Sequence, residues 1–306
     1  MLEVIVQMGG LILCGIAWRW LKPAGLEPVA TRKVLTSVVY YLLLPALVVS
    51  VLWQADLDSR TLLIALSGAF AVFTGLLLGL LSCRLCHARP AVSGAVILAA
   101  AFPNVTYLGL PVLEATFGTW ARSVAIQIDL FACTPLLFTV GVLVASRYGS
   151  AQAGTAGMMR ELLRIPALWA AVAGVALNLA GAQLPSILAG FLTLLERGVV
   201  PLMLISLGLS LAWNREQLRN LPTLIPVVLL RLLLVPALVA LLTATTGLSG
   251  DLRTAVVMET AMPSMVIGIV FCDHYNLDVE LYATAVTLTT ALSLLTLPMW
   301  YAWLSG

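Results

Sequence analysis

Apolar residues run along the chain in ten stretches separated by polar breaks, at approximately 4–18, 34–53, 61–82, 91–117, 121–146, 165–182, 186–213, 221–245, 252–272 and 280–304. Most approach the roughly 20 residues that a helix needs to cross the hydrocarbon core. They are too long and too uninterrupted for membrane strands, which alternate over about 10 residues. The pattern predicts an all-α polytopic membrane protein of ten transmembrane helices joined by short loops. Composition agrees: of 306 residues, 61% are apolar and 10% charged, where soluble domains carry about 25% charge. Soluble, disordered, collagen-like and disulfide-rich classes are excluded. The net charge of +2, with no basic block, gives no support to a nucleic-acid partner. Met1-Leu2-Glu3 lacks a basic region and a small-residue cleavage site, so the first run is read as a span.

Lys and Arg set the orientation. The odd-numbered loops hold Arg19, Lys22, Arg32, Lys33, Arg84, Arg89, Arg147, Arg160, Arg164, Arg215 and Arg219, whereas the even-numbered ones hold Arg60, Arg122 and Arg253. Odd loops are expected in the cytoplasm and both termini outside, in a bacterial inner membrane. Tryptophans near span ends, among them Trp53, Trp120, Trp213 and Trp303, suit the aromatic belts.

The polar stretch 147–164 separates a five-span unit at 1–146 from another at 165–306. Pro45, Pro103 and Pro135 are separated by 58 and 32 residues, and Pro201, Pro263 and Pro298 by 62 and 35. An odd number of spans per unit inverts the second copy. This is the plan of many secondary transporters, with a site near mid-membrane.

Spans 4 and 9 each carry a mid-span proline followed by a hydrogen-bonding residue, Pro103-Asn104 and Pro263-Ser264. Proline removes a helical donor and clashes with the carbonyl four residues back. Broken backbone at mid-membrane is tolerated only inside protein or beside a water-filled cavity. Half-helix N-termini after the breaks then suit a carboxylate. Proline kinks absorbed by neighbouring helices are the plainer alternative.

Asn104-x-x-Tyr107-Leu108-Gly109-Leu110-Pro111 resembles the broken fourth helix of the auxin efflux carrier family, which includes bacterial malonate-type permeases and plant PIN-type carriers. Met262-Pro263-Ser264 with Tyr275-x-Leu277-Asp278 resembles the ninth helix and its exit. Leu44-Pro45-Ala46-Leu47, Pro201-Leu202-Met203 and Arg231 with Pro236 are similar to the second, seventh and eighth. The chain departs from the pattern at Thr106, usually glycine, at Ile267, often asparagine, and at Asp273-His274. The resemblance implies a scaffold of spans 1, 2, 6 and 7, a moving domain of spans 3–5 and 8–10, and homodimers through the scaffold. It also implies a small organic anion bound where spans 4 and 9 cross.

Ionisable residues at membrane depth are functional candidates by default. Arg231 is expected to grip a carboxylate of the substrate or to pair with Asp129 or Glu259; Arg197 either contributes to the site or snorkels to the interface. Asp129 and Glu259 are candidates for coupling to H+ or Na+. Substrate contacts are expected from Asn104, Thr106, Tyr107, Ser264, Ile267, Arg231 and Arg197. Cys83-Arg84-Leu85-Cys86-His87 matches haem c attachment literally, but its loop is expected in the cytoplasm; no cofactor or metal is predicted. Gly75 and Gly79 could let helices approach closely, with ordinary packing the preferred reading. The leading expectation is a secondary carrier of a small organic anion working by alternating access. The alternatives are a sodium-coupled carrier of the bile-acid symporter type or a membrane-embedded enzyme.

Overall fold

The structure is a computed structural model that describes residues 2–55, 59–150, 163–211 and 221–305. Arg160, Trp213, Arg215, Arg219 and most of the expected linker lie outside the described residues. Among the described residues each predicted apolar run is largely helical. The first three are α1 (Leu2–Leu21), α2 (Pro28–Trp53) and α3 (Ser59–Leu85). Run 4 is two helices, α4 (Pro90–Ala101) and α5 (Val105–Phe117), followed by α6 (Ala121–Tyr148). In the second half lie α7 (Pro166–Leu179), α8 (Ser186–Ser210) and α9 (Pro222–Thr243). Run 9 is again two helices, α10 (Gly250–Thr260) and α11 (Gly268–His274), and α12 (Val279–Ser305) closes the chain. Among the described residues six helices, α2, α3, α6, α8, α9 and α12, are long and apolar enough to cross a bilayer. The molecule is a polytopic helical membrane protein.

One boundary moves with consequence. Helix α2 begins at Pro28 rather than near residue 34, because proline is favoured in the first helical turn, where its missing N–H costs nothing. Arg32 and Lys33, counted above as loop cations, therefore ride on the first turns of a helix.

The prolines leave a regular mark. Five-residue π turns at Val39–Leu43, Val105–Gly109, Asp129–Cys133 and Leu230–Leu234 each end two residues before a proline, at 45, 111, 135 and 236. Proline clashes with the carbonyl four residues back, and in all four cases that carbonyl lies inside the widened turn. The fold thus absorbs these prolines by a local bulge rather than by ending the helix. At Pro236 the freed carbonyl, Leu232 O, accepts a hydrogen bond from Trp300 Nε1 at 2.8 Å.

Two packing groups share the core. Helices α1, α2, α7 and α8 pack chiefly on one another, while α3, α4, α6, α9, α10 and α12 do the same. Within the first group α1 meets α8 at Gly15 and Gly208, where a Cβ on Gly208 would stand 2.1 Å from Ile12 O and one on Gly15 2.2 Å from Ile205 O. Within the second, a Cβ on Gly75 would stand 2.5 Å from Ala100 O. The expectation of ordinary packing at Gly75 is corrected: backbones touch there, as small-residue interfaces in membranes allow. Gly190, on α8 as well, has nothing within 4 Å. Gly208→Ala should therefore lower the melting temperature, by the equivalent of about 1–3 kcal/mol of overpacking. Gly190→Ala should leave it level or raise it, since alanine is the better helix former. Thermal unfolding of both variants in one detergent checks the contrast.

Candidate functional site

The two interrupted helices meet at their breaks. Helix α4 stops at Ala101 and α10 at Thr260, and the unwound segments pair as an isolated antiparallel bridge, Pro103 opposite Ser264. Asn104 N donates to Pro263 O at 2.7 Å and Met265 N to Phe102 O at 3.0 Å. Ser264 is fully buried, its hydroxyl donating to Ala99 O at 2.7 Å and its amide to Thr289 Oγ1 at 3.1 Å. Tyr282 Oη donates to Met265 O at 3.0 Å.

Breaking a helix orphans its last four carbonyls, and in a bilayer every one needs a partner. For α4, Leu98 O accepts from Phe102 N, Ala99 O from Ser264, and Ala100 O and Ala101 O from Arg231 Nη1 at 3.3 and 3.0 Å. For α10, Val257 O and Met258 O accept from Ala261 N, Glu259 O from Met262 N, and Thr260 O from Arg231 Nη2. One fully buried guanidinium thus closes both broken ends, and its charge faces the negative ends of two helix dipoles. The expected pairing of Arg231 with Asp129 or Glu259 is corrected, since its bonds run to main-chain oxygens. It lines none of the cavities described below.

A cavity of about 90 Å³ lies against the bridge, lined among others by Asn104, Thr106, Tyr107, Asp129, Thr134 and Ile267. Asn104 is 2% exposed and its Nδ2 has no hydrogen-bond partner. Asp129 accepts from the hydroxyls of Thr106 and, at 2.9 Å, of Thr134. Thr134 went unnoticed in the sequence, although its position just before Pro135, five residues after Asp129, was a usable signal. This cavity shares Tyr40, Tyr107, Val266 and Ile267 with a vestibule of about 410 Å³ at the end where α2 begins. At the opposite end of α2 a cavity of about 510 Å³ is lined by Gln54, Arg122, Gln127 and Glu196.

Other expected site residues stand apart. Ser264 spends its hydroxyl on Ala99 and does not line the cavity. Arg197 is exposed, at the step where α8 changes course, while its neighbour Glu196 is buried. Glu259 is fully buried, both carboxyl oxygens lack a partner, and a Cβ on Gly109 would stand 2.1 Å from Oε1. An ion network not foreseen from the sequence joins Arg122 to Glu114 and, at 3.0 Å, to Glu196.

Arg231→Met should destabilise the fold by about 3–5 kcal/mol, the range for stripping one side of a buried charged contact, because three carbonyls lose their donor. Ser264→Ala, which frees one carbonyl, should cost about 1–3 kcal/mol. Denaturation of the purified variants measures both; equal effects would mean that the guanidinium is not the principal cap.

Comparisons with known proteins agree in kind. The family described as "Membrane transport protein" matches residues 4–301. The chain is 32% identical over 304 residues to an uncharacterized transporter of Methanothermobacter thermautotrophicus, covering 97% of this chain and 96% of the relative. It is 26% identical over 275 residues to an uncharacterized transporter of Methanocaldococcus jannaschii, covering 88% of each. It is also 24% identical over 286 residues to the probable auxin efflux carrier component 5a of Oryza sativa subsp. japonica, covering 78% of this chain and 76% of the relative. A polytopic helical chain matched along nearly its whole length in this way belongs to the membrane transport family of the auxin efflux carriers, and is a transporter rather than an enzyme.

Proposed function

We propose that the protein is a secondary carrier of a small organic anion, working by alternating access with its cargo at the crossover of the two broken helices. The observation that carries this reading is Asn104 Nδ2, a buried donor without a partner, in the cavity beside the bridge. A buried unsatisfied donor costs about 1–3 kcal/mol, and a carboxylate oxygen would satisfy it. Thr106, Tyr107 and Ile267 line the same space and shape it. The neutral amide leaves the substrate class broad, from malonate-type dicarboxylates to indole acetate.

Alternating access needs two bodies and a path that opens at either end. The two packing groups are the bodies: α1, α2, α7 and α8 as scaffold, the rest as the moving domain. We read the chain as ten crossings in two inverted five-helix units, because α4–α5 and α10–α11 break at corresponding places and pair reciprocally through their backbones. Homodimers through the scaffold and a cytoplasmic-membrane location belong to the same reading. The Arg122–Glu196 bridge at 3.0 Å ties α6 of the moving domain to α8 of the scaffold and so latches the end opposite the vestibule. The proton- or sodium-coupled variant rests on Asp129, which lines the cavity, and Glu259, whose carboxyl oxygens lack partners.

Uptake of radiolabelled malonate and indole acetate into proteoliposomes tests the proposal. Saturable flux of one of them should fall about tenfold or more in Asn104→Ala, the loss expected for a hydrogen bond to a charged group, with elution profile and melting temperature retained. Flux of neither acid, or flux indifferent to Asn104→Ala, overturns it. Flux unchanged in Asp129→Asn and in Glu259→Gln removes those residues as obligatory coupling sites. For the latch, Glu196→Gln should speed labelling of Ser123→Cys by an impermeant maleimide several-fold, in a background lacking the exposed Cys14 and Cys86.

A further inference from the structure

The vestibule wall carries cations that no acid pairs with among the described residues. Arg32 and Lys33 line it, and neither belongs to any ion pair among the described residues. Glu27, the acid nearest to them in sequence, is held by Lys22 Nζ at 2.9 Å. Hydroxyl-bearing side chains share the same space: Thr36, Ser37, Tyr40 and Tyr107 line the vestibule with Arg32. Ser206 lies in the wall, 3% exposed, and its Oγ has no partner. The remaining wall includes Tyr41, Leu207, Val266 and Val270, so cationic, hydroxyl and apolar groups line one space.

The crossover cavity has the opposite character. Its one carboxyl, Asp129, already engages two threonine hydroxyls and offers an incoming anion nothing. The side-chain nitrogen left there without a partner is the neutral amide of Asn104. Recognition of a negative charge needs stronger donors, and a guanidinium fork matches a carboxylate with two parallel bonds. Along this path, on the vestibule side, the side chain that supplies them is Arg32.

We propose that Arg32, with Tyr107 and the unpartnered Ser206 hydroxyl, forms a second anion subsite in the vestibule, which takes the carboxylate of an organic acid before the cargo enters the crossover. The acid's apolar body lies along Tyr41, Val266 and Val270. This subsite rests on the anion-carrier reading and adds to it the group that senses charge. Lys33 adds to the field that draws anions to the mouth. A phosphate group, free or on a lipid, presents the same oxygen chemistry to these cations, and the test separates the sources.

The full-length protein in nanodiscs of phosphatidylcholine is titrated calorimetrically with benzoate, malonate and inorganic phosphate. Benzoate should bind the wild type, about tenfold or more weakly to Arg32→Gln, by an intermediate amount to Arg32→Lys, and several-fold more weakly to Ser206→Ala. If Arg32→Gln does not elute as a folded species, Arg32→Lys and Ser206→Ala decide by the same criterion. Benzoate affinity that drops in Asn104→Ala but not in the Arg32 and Ser206 variants overturns the subsite and leaves the carrier reading standing. Binding of phosphate alone, or an Arg32 effect seen only as loss of retained phosphatidylglycerol, overturns it in favour of a headgroup contact. If neither organic acid binds and neither is transported, the carrier reading fails and the subsite with it.

Discussion

Two helices that stop inside the buried core leave eight carbonyl oxygens without helical partners, and burial keeps water from solvating them. Everything around the crossover follows from that constraint. Five of the eight take main-chain amides or the Ser264 hydroxyl, and the other three take Arg231. A cation suits this place because the oxygens are the negative ends of α4 and α10. Burying a guanidinium in an apolar interior is costly, and three carbonyl contacts offset that cost without a carboxylate. Helix α3 can seat against the carbonyl of Ala100 because Gly75 has no side chain there.

Much of the framework was legible in the sequence, and the reasons are physical. Apolar runs must reach across hydrocarbon, so their lengths betray the helices. Mid-span prolines cannot complete a helical ladder, so Pro103 and Pro263 betray the breaks. Asn104, Thr106, Tyr107 and Ile267 follow those breaks closely in sequence, and the structure gathers them around one cavity. The same proximity in sequence misled for Ser264, because its hydroxyl turns back to close α4 rather than into the cavity.

The charged residues were read less well. A buried arginine in a sequence invites a search for an acid, but the partners of Arg231 are main-chain oxygens, which carry no sequence signature. Arg197 and Glu196 are neighbours in the chain with opposite fates: a helical step of one residue turns the first outward and the second onto Arg122. No periodicity fixes that phase where α8 changes course. The apolar run predicts a start near residue 34 and leaves Arg32 in a loop, whereas Pro28 starts the helix six residues earlier. Near membrane ends, a charge marks a boundary less reliably than a proline does.

The bridge between Pro103 and Ser264 is made by main-chain atoms: Asn104 N, Pro263 O, Met265 N and Phe102 O. Backbone groups are the one part of a protein that substitution leaves nearly unchanged. The side chains at 104, 106 and 267 can therefore change while the main-chain pairing at the crossing stays intact, which under the proposed carrier reading lets selectivity drift while architecture does not. Thr106 and Ile267 line the cavity without taking part in the bridge, so their side chains are free in this sense. Diversity of cargo among carriers of this build would then follow from a division of labour: the peptide backbone bears the structure, and the residues pointing into the cavity are left to evolve.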